Sequence, residues 1–310
     1  MSSFQGEALR VLRGLKAQAS PADQMRFVQQ IGRSLACRQE ETQRSETRDK
    51  QSVFGLINLA REAGEPADLD EAVWYCFLAT HFGEHLLCDG ETLNSAFRLL
   101  CAFGEFGSKP YWAWRRFHRN PVAFKEWLSK NAANLASLEY GNHRKFQSKQ
   151  PSGIWEAVES FLAMADEHSG PAKLVGLDPP ANDEHEAFRR LFERLRGLRG
   201  FGVLGSFDFV VLLNDMKLVC AEPGLCYLAG RGRGRGPLGG AIKLWGDSPT
   251  AKLERLAAEL AKKLDISPVV LESALCDWNK QPSGGVDVPA FFNHFRKSQG
   301  GGRKSQRRRS

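Results

Sequence analysis

Apolar residues recur every three to four positions along most of this chain, the spacing of one face of an α-helix. The pattern predicts helices over residues 4–17, 22–37 and 50–63. The stretch "DLDEAVWYCFLATHFGEHLL" (68–87) reads as another, with Asp68 or Asp70 as N-cap and acids in its first turn. Residues 91–103 follow, and Pro121 opens "PVAFKEWLSKNAANLASLEY", proline being suited to a first helical turn. Further helices are expected over 153–167, 183–196, 203–216, 248–264, 267–279 and 288–296. The connection "SGPAKLVGLDPPAND" (169–183) breaks the chain between lobes, and the glycine-rich "AGRGRGRGPLGG" (229–240) reads as a loop. No alternation of apolar and polar residues is long enough for a sheet, and there is no internal repeat. The expected fold class is all-α: N-terminal helices over 1–49, a helical domain over 50–295, and a disordered basic tail over 296–310.

Charge sharpens this picture. The formal net charge is +7, yet the last fifteen residues, "RKSQGGGRKSQRRRS", hold seven Lys/Arg and no acid. Such a tail suits either a solubilising end or a mobile tether for phosphates. A second basic zone, Lys109 to Lys149, interleaves nine Lys/Arg with eight aromatic residues against only Glu126 and Glu139. Basic groups among aromatics suit backbone phosphates and stacked bases; the same aromatics at helical spacing also suit a core. Seven scattered cysteines without a C-x-x-C give no disulfide framework or zinc site. No apolar run approaches a membrane span or a signal-peptide core, so a cytoplasmic protein with no membrane partner is expected.

The most specific chemistry lies in "LRGFGVLGSFDFVVLLNDMKLVCAEPG", 198–224. Gly200, Phe201 and Gly202 form a G-h-G turn (h is apolar), which needs positive φ and lets helix-start amides meet a phosphate. Together with Leu195, Leu198 and Gly205, the turn resembles the hairpin of the helix-hairpin-helix glycosylase superfamily, the endonuclease III type. That resemblance implies a two-lobed helical fold with the hairpin at 195–213. It also implies a catalytic carboxylate 22 residues after the first hairpin glycine. Here that position is Glu222, where the superfamily has aspartate. Leu204 stands where bifunctional members carry a Schiff-base lysine, so the resemblance implies excision without strand cutting. The four-cysteine cluster motif of some members is missing.

A narrower resemblance spans roughly residues 50–246. "WYCFLATHFG", "YGNHRKF", "FGVLGSFDFVVLL", "EPGLCYLAG" and "GPLGGAIKLWG" are similar to blocks of the alpha-glutamyl/putrescinyl thymine pyrophosphorylase family. That family is tied to hypermodified bases in phage DNA, and relatives of it excise modified bases in phage defence. What these resemblances imply is a DNA glycosylase that flips out a hypermodified pyrimidine, such as glucosylated hydroxymethylcytosine, and leaves an abasic site. The partner would be phage DNA with modified bases. Two alternatives stay open: a base-modifying pyrophosphorylase or transferase acting on hypermodified thymine precursors, and a non-catalytic DNA-binding module.

The candidate residues follow. Glu222, Asp208 and His143 are the catalytic candidates; a helix-cap role also suits Glu222, and packing or capping also suits Asp208. Gly200, Gly202, Gly205, Asn142, Arg144, Lys145, Arg231, Arg233 and Arg235 are candidates for DNA contact, with a solvated loop the alternative for 142–145. Trp74, Thr80 and His81 are candidate walls of a base pocket, with core packing the alternative for Trp74. His81 and His85 share a helix face, but H-E-x-x-H and a third ligand are absent, so no metal is expected. No cofactor is expected either.

Overall fold

The computed structural model describes residues 3–83, 85–86, 92–93, 95–104, 111–138, 148–230 and 236–280. Among these the chain is helical, as the periodicity predicts. The helices are α1 (Ser3–Gly14), α2 (Pro21–Ser45), α3 (Val53–Ala63), α4 (Pro66–Leu78), α5 (Ser95–Leu100), α6 (Trp114–Arg119), α7 (Pro121–Lys130) and α8 (Ala132–Ala136). They continue with α9 (Pro151–Glu167), α10 (Pro171–Val175), α11 (Glu184–Leu195), α12 (Gly202–Asp215), α13 (Gly236–Trp245), α14 (Thr250–Leu264) and α15 (Pro268–Lys280). A π-helical turn, Ala79–Gly83, extends α4. The only strands among the described residues are β1 (His85–Leu86) and β2 (Thr92–Leu93), an antiparallel pair in which His85 faces Leu93. No described helix is long and apolar enough to cross a membrane.

Several element boundaries differ from the periodicity, each for a physical reason. The helix expected to start at Asp68 or Asp70 begins instead at Pro66, which needs no amide partner in the first turn. Neither aspartate caps it: Asp68 pairs with Arg115 at 2.6 Å, and Asp70 accepts a hydrogen bond from the Ala172 amide, at the start of α10, at 2.8 Å. The run 121–140 divides at Asn131, and Asn120 caps α7 by accepting from the Ala123 amide at 3.1 Å. The expected loop 229–240 is a helix from Gly236 onward. Gly240 serves packing: a Cβ there would lie 2.2 Å from the Leu275 carbonyl oxygen, so only glycine lets α13 approach α15 this closely. The helix expected at 288–296 and the basic tail lie outside the described residues.

The chain divides into two compact units, Met1–Ala36 with Gly224–Ser310, and Cys37–Pro223. The first unit packs α1, α13, α14 and α15 over a core of Leu12, Phe27, Leu244, Leu260, Leu275 and Trp278. Phe27 meets Trp278 with ring centroids 5.1 Å apart. Glu254 accepts hydrogen bonds from the Cys226 and Leu228 amides at 2.7 and 2.6 Å, fixing the turn at Tyr227, whose φ is +52°.

The second unit is built around α4, whose residues 71–78 are all buried. Trp74 stacks on Phe117 at 4.9 Å and on Phe77 at 5.4 Å, and its indole N–H donates to the Trp112 carbonyl at 2.9 Å. Four aromatics of the basic zone serve the core: Trp112, Trp114, Phe117 and Phe124 are buried. Arg115, Arg116, Arg119, Lys125 and Lys130 are exposed, with Arg116 over the Trp112 ring and Lys125 over Trp155. Glu71 is buried beside them. Its carboxylate accepts from the Trp114 and Arg115 amides at 2.5 and 3.0 Å, which caps α6.

Candidate functional site

The G-h-G turn forms as its sequence predicts. α11 starts with Asp183 accepting from the Glu186 amide at 2.8 Å and buries Phe188, Leu191 and Leu195 on one face. It ends at Leu195, and a short turn leads to α12. Gly200 and Gly202 have φ of +83° and +54°, backbone that L side chains rarely adopt. Gly202 is the exposed first residue of α12, with nothing within 4 Å of where a Cβ would be, so the approach to the helix start is open. No acid lies in the first turn of α12. Arg196 and Arg199 flank the turn, 45% and 65% exposed, paired with Glu193 at 3.2 Å and Glu156 at 2.8 Å. Gly205 is buried inside the helix, and Leu204 is half-buried.

Between the two glycines, Phe201 turns inward and is 4% exposed. Its ring lies parallel to His81 at 5.7 Å and to Phe77 at 5.6 Å. The Phe77 and His81 rings are themselves parallel at 5.6 Å, and Phe82 meets His81 edge-on at 4.7 Å. Two stretches more than a hundred residues apart in sequence, "WYCFLATHFG" and "FGVLGSFDF", thus meet through one aromatic stack. π-helical turns of this kind are frequent at functional sites. Thr80 and His81 are both buried in the turn, and Ser95 begins α5, which packs against it. Ser206 is fully buried on α12, and its hydroxyl has no hydrogen-bond partner among the described residues. Trp74 lies in the core with Phe77 and Phe117, fully buried.

Glu222 sits at the other end of the helix pair. Its amide donates to the Glu184 carbonyl at 3.2 Å, and its carbonyl accepts from His185 Nδ1 at 2.9 Å. Both anchors are in the first turn of α11, whereas the hairpin follows its last residue. At 1.5 Å per residue, Glu222 is therefore displaced about 16 Å along α11 from Leu195, after which the turn begins. The Glu222 side chain is exposed, and its carboxylate has no ion pair or hydrogen bond among the described residues. Ala221 is held by Asn214, whose side-chain oxygen accepts from the Ala221 amide at 2.9 Å.

Asp208 belongs to neither end. It lies on α12 seven residues before Asp215, close enough for Glu41 on α2 to feel its charge. Arg38 links this group, donating twice to the Asp215 carboxylate, once at 2.7 Å, and lying 3.5 Å from Glu41. Burial holds the Asp215 carboxyl above the usual aspartate range, against the opposing pull of Arg38. Asn142, His143, Arg144, Lys145, Arg231, Arg233 and Arg235 lie outside the described residues. No group of three His, Cys, Asp or Glu among the described residues is placed to hold a metal ion.

Sequence reasoning missed His185, Glu71 and the Arg38–Asp215 pair. Their partners are backbone groups or side chains 37, 43 and 177 residues away, and no local spacing signals them.

Comparison with known proteins bears on the chemistry of this framework. No curated protein and no solved structure matches the chain. A family model, described as amino acid:DNA transferase, matches residues 48–285. The match covers the π-helical turn, the hairpin and the Glu222 segment, and its description names amino-acid transfer to DNA rather than excision. With well over half of its length so matched, the chain belongs to the amino acid:DNA transferase family.

Proposed function

We propose that this protein joins an amino acid to a pyrimidine base in DNA, by displacement at the base's 5-methylene carbon. The observation that carries the reading is the family match across residues 48–285. The amine of the amino acid is the nucleophile, and a pyrophosphate on the methylene is the leaving group. The amine lone pair forms the C–N bond as the C–O bond breaks, and pyrophosphate leaves with that electron pair. A proton must also be taken from the amine. The reacting carbon is hard to reach in a stacked duplex, so the nucleotide is flipped out.

The hairpin and Glu222 suit separate parts of a DNA-bound reaction. An open helix start flanked by Arg196 and Arg199 suits a backbone phosphate, and a carboxylate about 16 Å along α11 suits a partner for the amino acid's ammonium. In this scheme Gly200, Gly202 and Gly205 shape the phosphate contact. Thr80 and His81, with Trp74 packed behind Phe77, back the base. Asn142, His143, Arg144, Lys145, Arg231, Arg233 and Arg235 serve as further DNA contacts, and Asp208 adds negative charge near Glu41.

The test is incorporation of a radiolabelled amino acid into acid-precipitable DNA. The substrate carries a pyrophosphorylated 5-hydroxymethyl pyrimidine, and ordinary DNA of the same sequence is the control. Label retained only on the activated DNA supports the reading. DNA that gains no label but becomes alkali-labile supports the glycosylase reading that the 22-residue spacing from Gly200 to Glu222 suggests.

A further inference from the structure

We infer that His185 is the proton acceptor for the incoming amine; the inference rests on the transferase reading. Its partner is decisive: the Glu222 carbonyl can only accept, so His185 Nδ1 must carry the hydrogen of the 2.9 Å bond. In the neutral imidazole this leaves Nε2 with its lone pair, oriented by the bond on the opposite side of the ring. His185 is exposed, and Nε2 has no partner among the described residues. The ring thus stands at the backbone of the residue whose free carboxylate suits an ammonium group. This is the arrangement of an oriented base: one nitrogen is fixed by a backbone acceptor, and the other is open to solvent or substrate.

The charged residues nearest His185 in the chain are Asp183, Glu184, Glu186 and Arg189 on α11, and Glu222 comes from the facing segment. Asp183 is engaged by the Glu186 amide and Glu186 by Asn182 at 2.5 Å, and Arg189 reaches Glu186 at 4.0 Å; Glu222 is the carboxylate on the segment that the ring itself binds. The step balances without a further reactant. The ammonium form of the amino acid docks at Glu222 and gives one proton to Nε2. The resulting lone pair attacks the methylene carbon, pyrophosphate departs with the C–O electrons, and His185 returns its proton to water.

The same hydrogen bond also gives His185 a purely structural use, tying residues 219–223 to α11, so the test separates the two. Asparagine keeps a side-chain N–H for the Glu222 carbonyl but provides no base; alanine removes both. In the full-length protein, His185→Asn and His185→Ala should bind DNA with wild-type affinity. Both should lose turnover by about 10²–10⁴-fold, the usual share of a general base. Raising the pH from about 7 to about 9 should recover part of the loss in His185→Asn, because more of the amino acid is then free amine. If His185→Asn restores the turnover that His185→Ala loses, the ring only anchors the loop and the inference fails. It fails equally if both variants turn over at the wild-type rate. Wild-type protein that adds no amino acid to activated DNA overturns the transferase reading itself, an outcome visible before either variant is made.

Discussion

Replacing Phe201 tests whether the hairpin is seated on the π-helical turn. The side chain is 4% exposed, parallel to His81 and Phe77 at 5.7 and 5.6 Å, and edge-on to Phe209 at 5.5 Å. Truncating a buried phenylalanine costs about 3–5 kcal/mol, from lost burial and the cavity left behind. The three neighbouring rings place Phe201→Ala in the upper part of that range. A unit of this size loses about 2–4 °C of Tm per kcal/mol, so the transition should fall by about 8–20 °C. Phe201→Leu keeps most of the apolar volume and should cost on the order of 1.5 kcal/mol. Thermal unfolding followed by far-UV circular dichroism reads both. A Phe201→Ala transition within about 2 °C of wild type would refute the reasoning, because no buried ring can be removed so cheaply.

Other expectations follow from the same geometry. Burial raises the Glu71 carboxyl above the usual glutamate range, although the Arg115 and Trp114 amides oppose it. A carboxyl that holds its proton more tightly folded than unfolded loses stabilising effect as pH rises from the unfolded value. The Tm of wild type minus that of Glu71→Gln should therefore decline between about pH 4 and pH 7, and a difference that grows would contradict the burial. Replacing both Arg196 and Arg199 by alanine should weaken DNA binding. It should also flatten the slope of log K against log salt by about 0.9 for each phosphate no longer neutralised, and an unchanged slope would remove the hairpin from the DNA surface. Glu222→Gln should raise KM for the amino acid by up to about fivefold, the worth of an exposed ion pair, with the KM for DNA unchanged. Loss of kcat by orders of magnitude with an unchanged amino-acid KM would assign the carboxylate to the reacting atoms instead.

What can be read from the sequence is local. The G-F-G turn announces itself because positive φ at Gly200 and Gly202 leaves few residue types possible. Most helices are visible because each buries one stripe. The misreadings come from tertiary packing. Gly240 looks like a loop residue, yet it lies within α13 and is glycine because the Leu275 carbonyl sits where a Cβ would be. Residues 38–45 lack an apolar stripe, yet α2 continues to Ser45, with Arg38 held by Asp215 from 177 residues away. Asp68 and Asp70 look like caps but tie α4 to Arg115 and to the start of α10. At the candidate site, spacing points to Glu222 but does not reveal His185, which is connected to it through a backbone carbonyl. Nor does the fixed interval from Gly200 reveal that Glu222 is anchored at the start of α11, about 16 Å of helix from Leu195.

The central claim is that the base is modified and stays on the sugar. Its most direct test is mass spectrometry of nucleosides after the protein has acted on DNA carrying a pyrophosphorylated 5-hydroxymethyl pyrimidine, with a ¹⁵N-labelled amino acid present. The account predicts a nucleoside carrying the amino acid through its heavy nitrogen, with one pyrophosphate released for each residue joined. Free modified base and an abasic sugar, with no heavy nitrogen in the DNA, would contradict it.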